Sequence, residues 1–170
     1  DTMLGGNVSL SGAFDAQSGW YATASRGYKA GGFNIGQLVP DERREFEPEY
    51  LWNVEAGVRH ASDDGALSAE VAVFHMWRES QQVATSFQLD PGDPLSYVFF
   101  TDNAARGRNA GLEGSIAWRI RPSLTLGGTL GLLHSEYVGY RQGDRDLDGR
   151  EQAHAPGYQY SLSTEWNAGR

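Results

Sequence analysis

The sequence contains no cysteine and a single lysine, Lys29, among its 170 residues. Without cysteine, the chain can form neither a disulfide framework nor a thiolate metal or redox centre. Its 14 basic residues stand against 22 acidic ones, which gives a net charge of −8. This balance excludes a nucleic-acid binder, because neutralising phosphates requires clustered lysine and arginine. Nor does any apolar run approach the about 18 residues that a membrane-spanning helix needs.

The chain also lacks the motifs of common catalytic and metal-binding sites. GxSxG, SxxK, HExxH and the glycine-rich phosphate loops do not occur, and no two of the four histidines have a recognised metal-ligand spacing. Carboxylates such as Glu55, Glu70, Glu113 and Glu165 are spread along a polar register rather than gathered in one motif. We therefore expect no enzymatic activity and no cofactor.

What the sequence does contain is an alternation of apolar and polar residues with a period of two. From Trp52 to Val58, for example, every second residue is apolar, whereas Phe74 breaks the alternation of its own segment. Such alternation predicts half-buried β-strands. The predicted strands are residues 7–15, 19–28, 49–60, 66–89, 97–120, 123–138 and 156–167.

The connections between these segments alternate between short and long. Residues 16–18, 61–65 and 121–122 are short connections, whereas residues 29–48, 90–96 and 139–155 are longer. In an up-and-down antiparallel sheet, alternate connections lie at the same end. One end would then carry tight turns and the other large loops, which is typical of outer-membrane β-barrels.

The five tryptophans support a membrane-spanning sheet. All lie in the apolar register, with Trp20, Trp118 and Trp166 at the short-turn end and Trp52 and Trp77 beside the long loops. Indole rings favour the membrane interface, so the two groups indicate two aromatic girdles. The segments are also longer than the about 5–6 residues of an average strand, which favours tilted membrane spans over a soluble sandwich.

Several segments resemble the barrel of TonB-dependent outer-membrane receptors, in the right order along the chain. They are residues 21–34 (YATASRGYKAGGFN), 46–49 (FEPE), 53–57 (NVEAG), 72–74 (AVF) with Gln81 and Gln82, 103–106 (NAAR), 110–114 (AGLEG) and 154–158 (HAPGY). The resemblance runs from about residue 19 to residue 167.

This resemblance implies an all-β, antiparallel, up-and-down transmembrane β-barrel segment of about seven strands from a larger barrel of about 22 strands. It implies a receptor in the outer membrane of a Gram-negative bacterium that imports a ferric siderophore or similar scarce nutrient, energised by the TonB complex through an N-terminal plug. The implied partners are this ligand, the TonB complex and outer-membrane lipid. On this interpretation residues 1–170 are part of the barrel, and the plug domain and the barrel's C-terminus are absent.

Aromatic residues in the predicted loops are the candidate ligand contacts: Tyr28, Phe33, Tyr137 and Tyr140. The loop beginning at Asp144 imitates a calcium-binding loop, with carboxylates at Asp144, Asp146 and Asp148 and a glycine at the sixth position. Its twelfth position is Ala155 instead of the bidentate glutamate, so a solvated acidic turn is favoured over a metal site.

Two other interpretations remain open from the sequence. One is a small self-contained outer-membrane barrel of eight strands with a structural or adhesive role. The other is a soluble β-sandwich that binds carbohydrate through exposed aromatic residues. Detergent dependence would separate the sandwich from either barrel, and the mass of the native protein would separate the two barrels.

Overall fold

The computed structural model of the chain describes residues 3–142 and 145–168. Its elements, in chain order, are β1 (Gly6–Ala13), β2 (Ser18–Lys29), β3 (Gly32–Phe33), a 3-10 turn (Asp41–Arg43), β4 (Glu45–Phe46), β5 (Glu49–Ala61), β6 (Leu67–Gln88), β7 (Tyr97–Arg121), β8 (Leu124–Val138), β9 (Arg141–Gln142), β10 (Arg145–Asp146) and β11 (Tyr158–Trp166). In these two ranges no helix is long and apolar enough to cross a membrane.

The seven long strands form one antiparallel sheet in the order β1-β2-β5-β6-β7-β8-β11. Each long strand therefore pairs with the next one along the chain, which confirms the predicted up-and-down topology. The observed bounds fall within two residues of the predicted ones at every end. The short pairs β3–β4 and β9–β10 lie within the long connections. We call the end with residues 14–17, 62–66 and 122–123 the turn end and the opposite end the loop end.

Cross-strand pairing keeps the apolar register on one side of the sheet, the apolar face. Leu132, for instance, pairs with Leu112 on one side and with Tyr158 on the other. The opposite side, the polar face, aligns residues such as Glu113 with Gly131. The structure thus confirms the division between an apolar and a polar register that the sequence predicts.

No second layer covers the apolar face in the described part of the chain. Leu130 and Val73 are 44% and 52% exposed, and among the side chains that the structure describes the buried apolar ones are Val39, Ala72, Val98 and Tyr140. Leaving each Leu or Val in water forfeits about 1.5–3 kcal/mol. A face of many such side chains would outweigh the about 5–15 kcal/mol that stabilises a typical domain. The apolar face therefore needs an apolar covering such as lipid, and the described long strands form one sheet rather than the two packed sheets of a sandwich.

The register of the turn-end tryptophans gives the strand tilt that a shared membrane interface requires. Trp20 pairs with Val58, Val58 pairs with Val71, and Val71 pairs with Gly114 on β7. Trp118, on the same strand as Gly114, lies four residues farther toward the turn end. Three inter-strand spacings are about 14 Å and four residues are about 13 Å along a strand. If both rings lie at one membrane interface, the tilt is about 43°, which falls within the about 35–45° of outer-membrane barrels.

Strands β6 and β7 extend well beyond a membrane span at the loop end. They contain 22 and 25 residues, whereas a tilted span needs about 9–11. Their pairing shifts register between Arg78 and Gln82, where Ser80 adopts a positive φ of 51°. This irregularity lies just beyond Trp77 of the loop-end girdle, and bulges of this kind bend and twist a strand. Beyond this irregularity the two strands, with residues 81–88 paired to 97–105, form a hairpin that projects past the loop-end girdle. We call it the projecting hairpin.

Aromatic rings of the polar face cover two glycines on neighbouring strands. A Cβ at Gly111 would lie 2.5 Å from the Phe74 ring, and one at Gly57 would overlap the Tyr21 ring. Phe74, which breaks the alternation in the sequence, is thus an aromatic side chain that packs over a glycine on the next strand. Such aromatic–glycine pairs help to fix strand register.

Aspartates close two of the short turns. Asp15 Oδ1 accepts the backbone N–H groups of Gln17 and Ser18, at 2.8 and 2.6 Å, and these bonds lower the pKa of Asp15. The hydroxyl of Ser62 and the N–H of Ala66 likewise lower the pKa of Asp64. A lowered pKa in the folded state stabilises the turn above the ordinary value of 3.8, and the gain is lost as the pH falls through the lowered pKa.

Substituting Gly111 tests the aromatic–glycine packing. Gly111→Ala in the full-length protein should destabilise the fold by about 1–3 kcal/mol, because the methyl group meets both the Phe74 ring and the carbonyl of Leu132. Gly131→Ala is the matched control, since its Cβ would lie no closer than 3.9 Å to the nearest atom, Gln159 O. The measurement is the midpoint of thermal unfolding in detergent. Equal midpoints for the two variants would contradict this role of the ring.

Arginine substitutions at two adjacent positions test the two faces. Leu130→Arg places a charge in the middle of the apolar face and should cost about 2–4 kcal/mol. Thr129→Arg, one residue away, points to the polar face and should leave assembly almost unchanged. The measurement is the fraction of folded, heat-modifiable protein in the membrane. Equal folded fractions would mean that the assignment of the faces is wrong.

Candidate ligand-binding site

A cluster of ionisable side chains occupies the polar face toward the turn end of the strands. The hydroxyl of Tyr21 donates to Glu55 at 2.7 Å and lies 3.2 Å from a carboxylate oxygen of Glu70. Arg59 pairs with the other oxygen of Glu70 at 3.2 Å, and its guanidinium stands 4.5 Å from the centre of the Tyr21 ring. These contacts join β2, β5 and β6 into one hydrogen-bonded patch.

Beside this patch is a concavity of about 510 Å³. Its lining residues on the polar face combine carboxylates with small, hydroxyl and amide groups, namely Tyr21, Glu55, Glu70, Ala72, Glu113, Ser115, Thr129, Gly131 and Gln159. The surface can hydrogen-bond a polar partner and attract a cationic one.

The long connection between β2 and β5, residues 30–48, is fixed to the projecting hairpin by side-chain amides. Asn34 accepts the N–H of Thr101 and donates to its carbonyl, both at 2.8 Å, as a strand partner would. The same amide donates to the carbonyl of Arg43 at 2.7 Å. Asn34 therefore joins the loop's own turn to the edge of β7.

Two further side-chain amides, those of Asn103 and Gln82, fix the base of this loop. Asn103 accepts the N–H of Glu47 at 2.6 Å and donates to the carbonyls of Glu47 and Ser80, at 2.9 and 2.8 Å. Gln82 donates to the carbonyls of Ala30 and Glu47, at 2.8 and 3.0 Å. Because Ala30 and Glu47 lie near opposite ends of the loop, these bonds close its base.

An ion pair adds a third point of attachment. Arg43 forms a salt bridge with Asp102 of β7, and its guanidinium lies 5.6 Å from the centre of the Phe100 ring. Phe100 in turn packs edge-on against Phe87 of β6, with ring centres 5.7 Å apart. Loop 30–48 thus contacts both a charge and an aromatic surface on the hairpin.

The connection between β8 and β11 contacts the same hairpin, on the face that Arg43 also contacts. Tyr140 is 6% exposed, its ring centre lies 5.0 Å from that of Tyr137, and its hydroxyl hydrogen-bonds Thr85 of β6. Burial, reinforced by Tyr137 and Asp102, raises the pKa of Tyr140 above the ordinary 10.0. Tyr140 thus remains protonated and packs this loop against the hairpin.

Gln152 attaches the later part of this connection. Its amide donates to Asn109 Oδ1 and to the carbonyl of Glu136, both at 2.9 Å. It also covers Gly107, where a Cβ would lie 2.8 Å from Gln152 Nε2. Side-chain hydrogen bonds and an ion pair therefore attach both long loops to the loop-end parts of the strands.

The four aromatic candidates predicted from the sequence do not form one cluster. Tyr137 and Tyr140 are together, whereas Phe33 is 71% exposed on β3. Tyr28 pairs with Tyr50 in the apolar register, so it belongs to the loop-end girdle rather than to the polar face. Phe33 and Tyr137 are the candidates that remain accessible on the loop side.

The acidic loop is occupied by its own hydrogen bonds. Asp146 accepts the N–H of Asp148 at 3.0 Å and pairs with Arg141 at 3.4 Å, and Asp148 accepts the N–H of Gly139 at 2.6 Å. Asp144 lies outside the described residues. Within the described ranges, no group of three His, Cys, Asp or Glu side chains is arranged to hold a metal ion.

The amides that hold the loops have no signature in the sequence. Asn34 and Thr101 are 67 residues apart, and Asn103 and Glu47 are 56 apart. An asparagine in a glycine-rich loop predicts a turn, and nothing local indicates its distant partner. The positively charged member of the ion pair, Arg43, lies in a mixed-charge run that is more typical of a solvated loop.

Solved structures share this fold. They include the ferric yersiniabactin uptake receptor FyuA from Yersinia pestis, with 20% identity, coverage of 94% of this chain and 22% of that one, and a TM-score of 0.71. The ferripyoverdine receptor of the Pseudomonas aeruginosa outer membrane has 17% identity, coverage of 94% of this chain and 20% of that one, and a TM-score of 0.67. The siderophore receptor PiuA from Acinetobacter baumannii has 16% identity, coverage of 95% of this chain and 23% of that one, and a TM-score of 0.66.

The chain thus spans about a fifth of the length of the solved structures that it matches. At these identities the likeness shows the fold alone. The family assignment comes from a model described as TonB dependent receptor-like, beta-barrel, which matches residues 6–170. With nearly the whole chain matched and a single antiparallel sheet that has one apolar face, this chain belongs to the TonB-dependent receptor β-barrel family.

Proposed function

We propose that this chain forms seven adjacent strands of an outer-membrane receptor that imports a ferric siderophore or a similar scarce nutrient into a Gram-negative bacterium. The observation that carries the proposal is the family match over residues 6–170. Membership in this family implies a place in a bacterial outer membrane. The matched structures are receptors: FyuA takes up ferric yersiniabactin, and the Pseudomonas receptor was solved with ferripyoverdine bound.

The geometry of the sheet supports a larger barrel. β1 pairs with β2 alone and β11 pairs with β8 alone in the described chain, so both outer edges carry unpaired backbone groups. In a bilayer such groups would cost several kcal/mol each, and further strands must satisfy them. We propose a closed barrel of about 22 strands, of which these seven form one part of the wall.

In this arrangement the polar face lines the lumen and the loop end faces the outside. The concavity beside Glu55, Glu70 and Glu113 then faces the plug domain that we propose inside the barrel. The TonB complex acts through that plug. Phe33, Tyr137 and the two fixed loops line the entrance for the ligand. Lipid contacts the apolar face. Transport is thus the activity we propose, and no step of it requires bond chemistry by these residues.

Iron uptake by the producing bacterium tests this proposal. Deleting the gene should abolish uptake of radiolabelled iron from at least one member of a panel of ferric trihydroxamate, ferric tricatecholate and ferric citrate, and dissipating the proton gradient should have the same effect. The wild-type strain is measured in parallel.

The mass of the native protein provides an independent control. A heat-modifiable outer-membrane band several times larger than 18.6 kDa would agree with a complete receptor. Unchanged uptake of the whole panel, together with a membrane band near 18.6 kDa, would replace the transporter with the small self-contained barrel.

A second prediction concerns the attachment of loop 30–48. Asn103→Leu removes the bonds to Glu47 and Ser80, at a cost of about 1–3 kcal/mol for groups left unpaired. Amide hydrogen exchange in residues 30–48 should then quicken, and the affinity for the transported ligand should fall. Asn7→Leu, on β1 of the polar face, is the control and should change neither. Unchanged exchange in the Asn103 variant would show that the amide does not hold the loop.

A further inference from the structure

Arg78 is an arginine of β6 that lies on the polar face at the loop end. It follows Trp77 of the loop-end girdle, and its cross-strand partner on β7 is Gly107. The other polar-face arginines of the described long strands, Arg59 and Arg119, lie toward the turn end. In the proposed barrel, Arg78 therefore stands on the lumen wall at the level where the ligand enters.

The guanidinium of Arg78 has a counter-ion but no hydrogen bond at its Nε. Among the described residues this buried atom has no hydrogen-bond partner, and Glu49 Oε1 lies 3.8 Å from it. The other oxygen of Glu49 accepts the N–H of Gln82 at 2.9 Å. The Arg78 side chain is 34% exposed, whereas that of Glu49 is 12% exposed. A guanidinium has five N–H donors, so Arg78 can offer several of them to a ligand on the lumen side.

The polar face near Arg78 is positively charged, although the whole chain carries a net charge of −8. Lys29 on β2 pairs with Glu49 on β5, so the polar-face strand residues at this level contribute two cations, Lys29 and Arg78, and one carboxylate. Glu70, in the patch around Tyr21, lies eight residues away along β6, which is about 27 Å. Because the Debye length is about 8 Å at physiological ionic strength, that patch does not cancel the positive charge. This level of the wall therefore attracts an anion.

Amide oxygens without partners lie beside Arg78. Gln81 is 7% exposed, and its Oε1 is buried with no hydrogen-bond partner among the described residues. This oxygen covers Gly107, the cross-strand partner of Arg78, and lies 2.5 Å from the position of a Cβ there. Asn53 Oδ1, in the next polar-face row toward the turn end, is also buried without a partner in the described part of the chain. A buried acceptor without a donor is costly, so an N–H group from a ligand would stabilise this site.

An aromatic surface borders Gly107 on its other side. Tyr137 on β8 pairs with Gly107, so it lies on the polar face two inter-strand spacings, about 10 Å, from Arg78. Its ring packs against that of Tyr140, with centres 5.0 Å apart. Because Gly107 has no side chain, amide groups rather than a bulky residue lie between the charge and the ring. The spacing admits one aromatic chelate ring over Tyr137 with its anionic oxygens toward Arg78.

We propose that this part of the lumen wall selects a ferric catecholate, an aromatic and anionic iron complex. The catecholate oxygens pair with Arg78, one catechol ring packs against Tyr137, and a neighbouring N–H of the ligand bonds Gln81 Oε1 when that amide turns toward the lumen. A neutral hydroxamate complex would leave the guanidinium unpaired, and a citrate complex has no ring for Tyr137. The inference rests on the proposed import function and names the class of its substrate.

Binding of three ferric complexes by the purified full-length receptor tests the proposal. The probes are a ferric tricatecholate, ferric citrate, which is anionic but lacks rings, and a ferric trihydroxamate, which is neutral. Wild type should bind the tricatecholate about tenfold more tightly than either of the others. Arg78→Gln should weaken tricatecholate binding about tenfold and leave trihydroxamate binding unchanged. Affinities are measured in detergent by retention of radiolabelled iron, at low and high salt.

Two further arginine variants separate charge from fold. Arg78→Lys keeps the positive charge and should retain the salt dependence of tricatecholate binding, which Arg78→Gln should reduce. Arg119→Gln, on the polar face at the turn end, should bind all three complexes as the wild type does. Heat-modifiability shows that each variant is folded. An equal loss of all three complexes in Arg78→Gln would mean that Arg78 supports the fold, and it would overturn the proposal.

Iron uptake distinguishes failure of this inference from failure of the proposed function. Uptake of ferric citrate or the trihydroxamate without uptake of the tricatecholate would leave import in place and overturn the catecholate assignment. Unchanged tricatecholate affinity in Arg78→Gln would overturn the role of Arg78. If Arg78→Gln does not fold, loss of the salt dependence in Arg78→Lys would have the same meaning. Uptake of no member of the panel would contradict the import function itself.

Discussion

The alternation of side chains along paired strands is the constraint on which this structure depends. Because each cross-strand pair joins residues of the same face, one apolar register becomes a continuous surface across seven strands. A shift of one residue in any pairing would expose polar side chains on that surface and apolar ones on the other. The packing of Phe74 over Gly111 opposes such a shift, since the ring fits where no side chain is present. Register and amphipathicity therefore support each other.

Most of this architecture is predictable from the sequence because it depends on patterns among residues that are close together in the chain. The period of two, the tryptophans and the alternation of short and long connections give the seven strands to within two residues. The bulge at Ser80 and the role of Phe74 are not predictable in this way, since both depend on the neighbouring strand. The same holds for the loops, where Asn34 replaces a strand partner for Thr101 over a separation of 67 residues.

The loop end is stabilised differently from the sheet beneath it. Within the bilayer, backbone pairing and apolar contact with lipid are sufficient. Beyond it, two loops contact the projecting hairpin, and they are attached by amide and ionic contacts such as Asn103 with Glu47 and Arg43 with Asp102. Polar attachments of this kind are modest in net energy and directional in geometry. They position the loops together with a few buried apolar side chains at this end, Val39, Val98 and Tyr140, whereas Phe33 stays exposed.

Strand tilt determines how this part of the wall would contribute to a complete receptor. At a tilt of about 43°, residues that are paired across strands do not lie at the same depth, and each step across the sheet moves the pair along the membrane normal. In a barrel of about 22 strands, seven strands form about a third of the wall. Three long loops from this chain would then share the entrance with those of the remaining strands. Ligand selectivity would therefore arise jointly, with this segment supplying one fixed side of the vestibule.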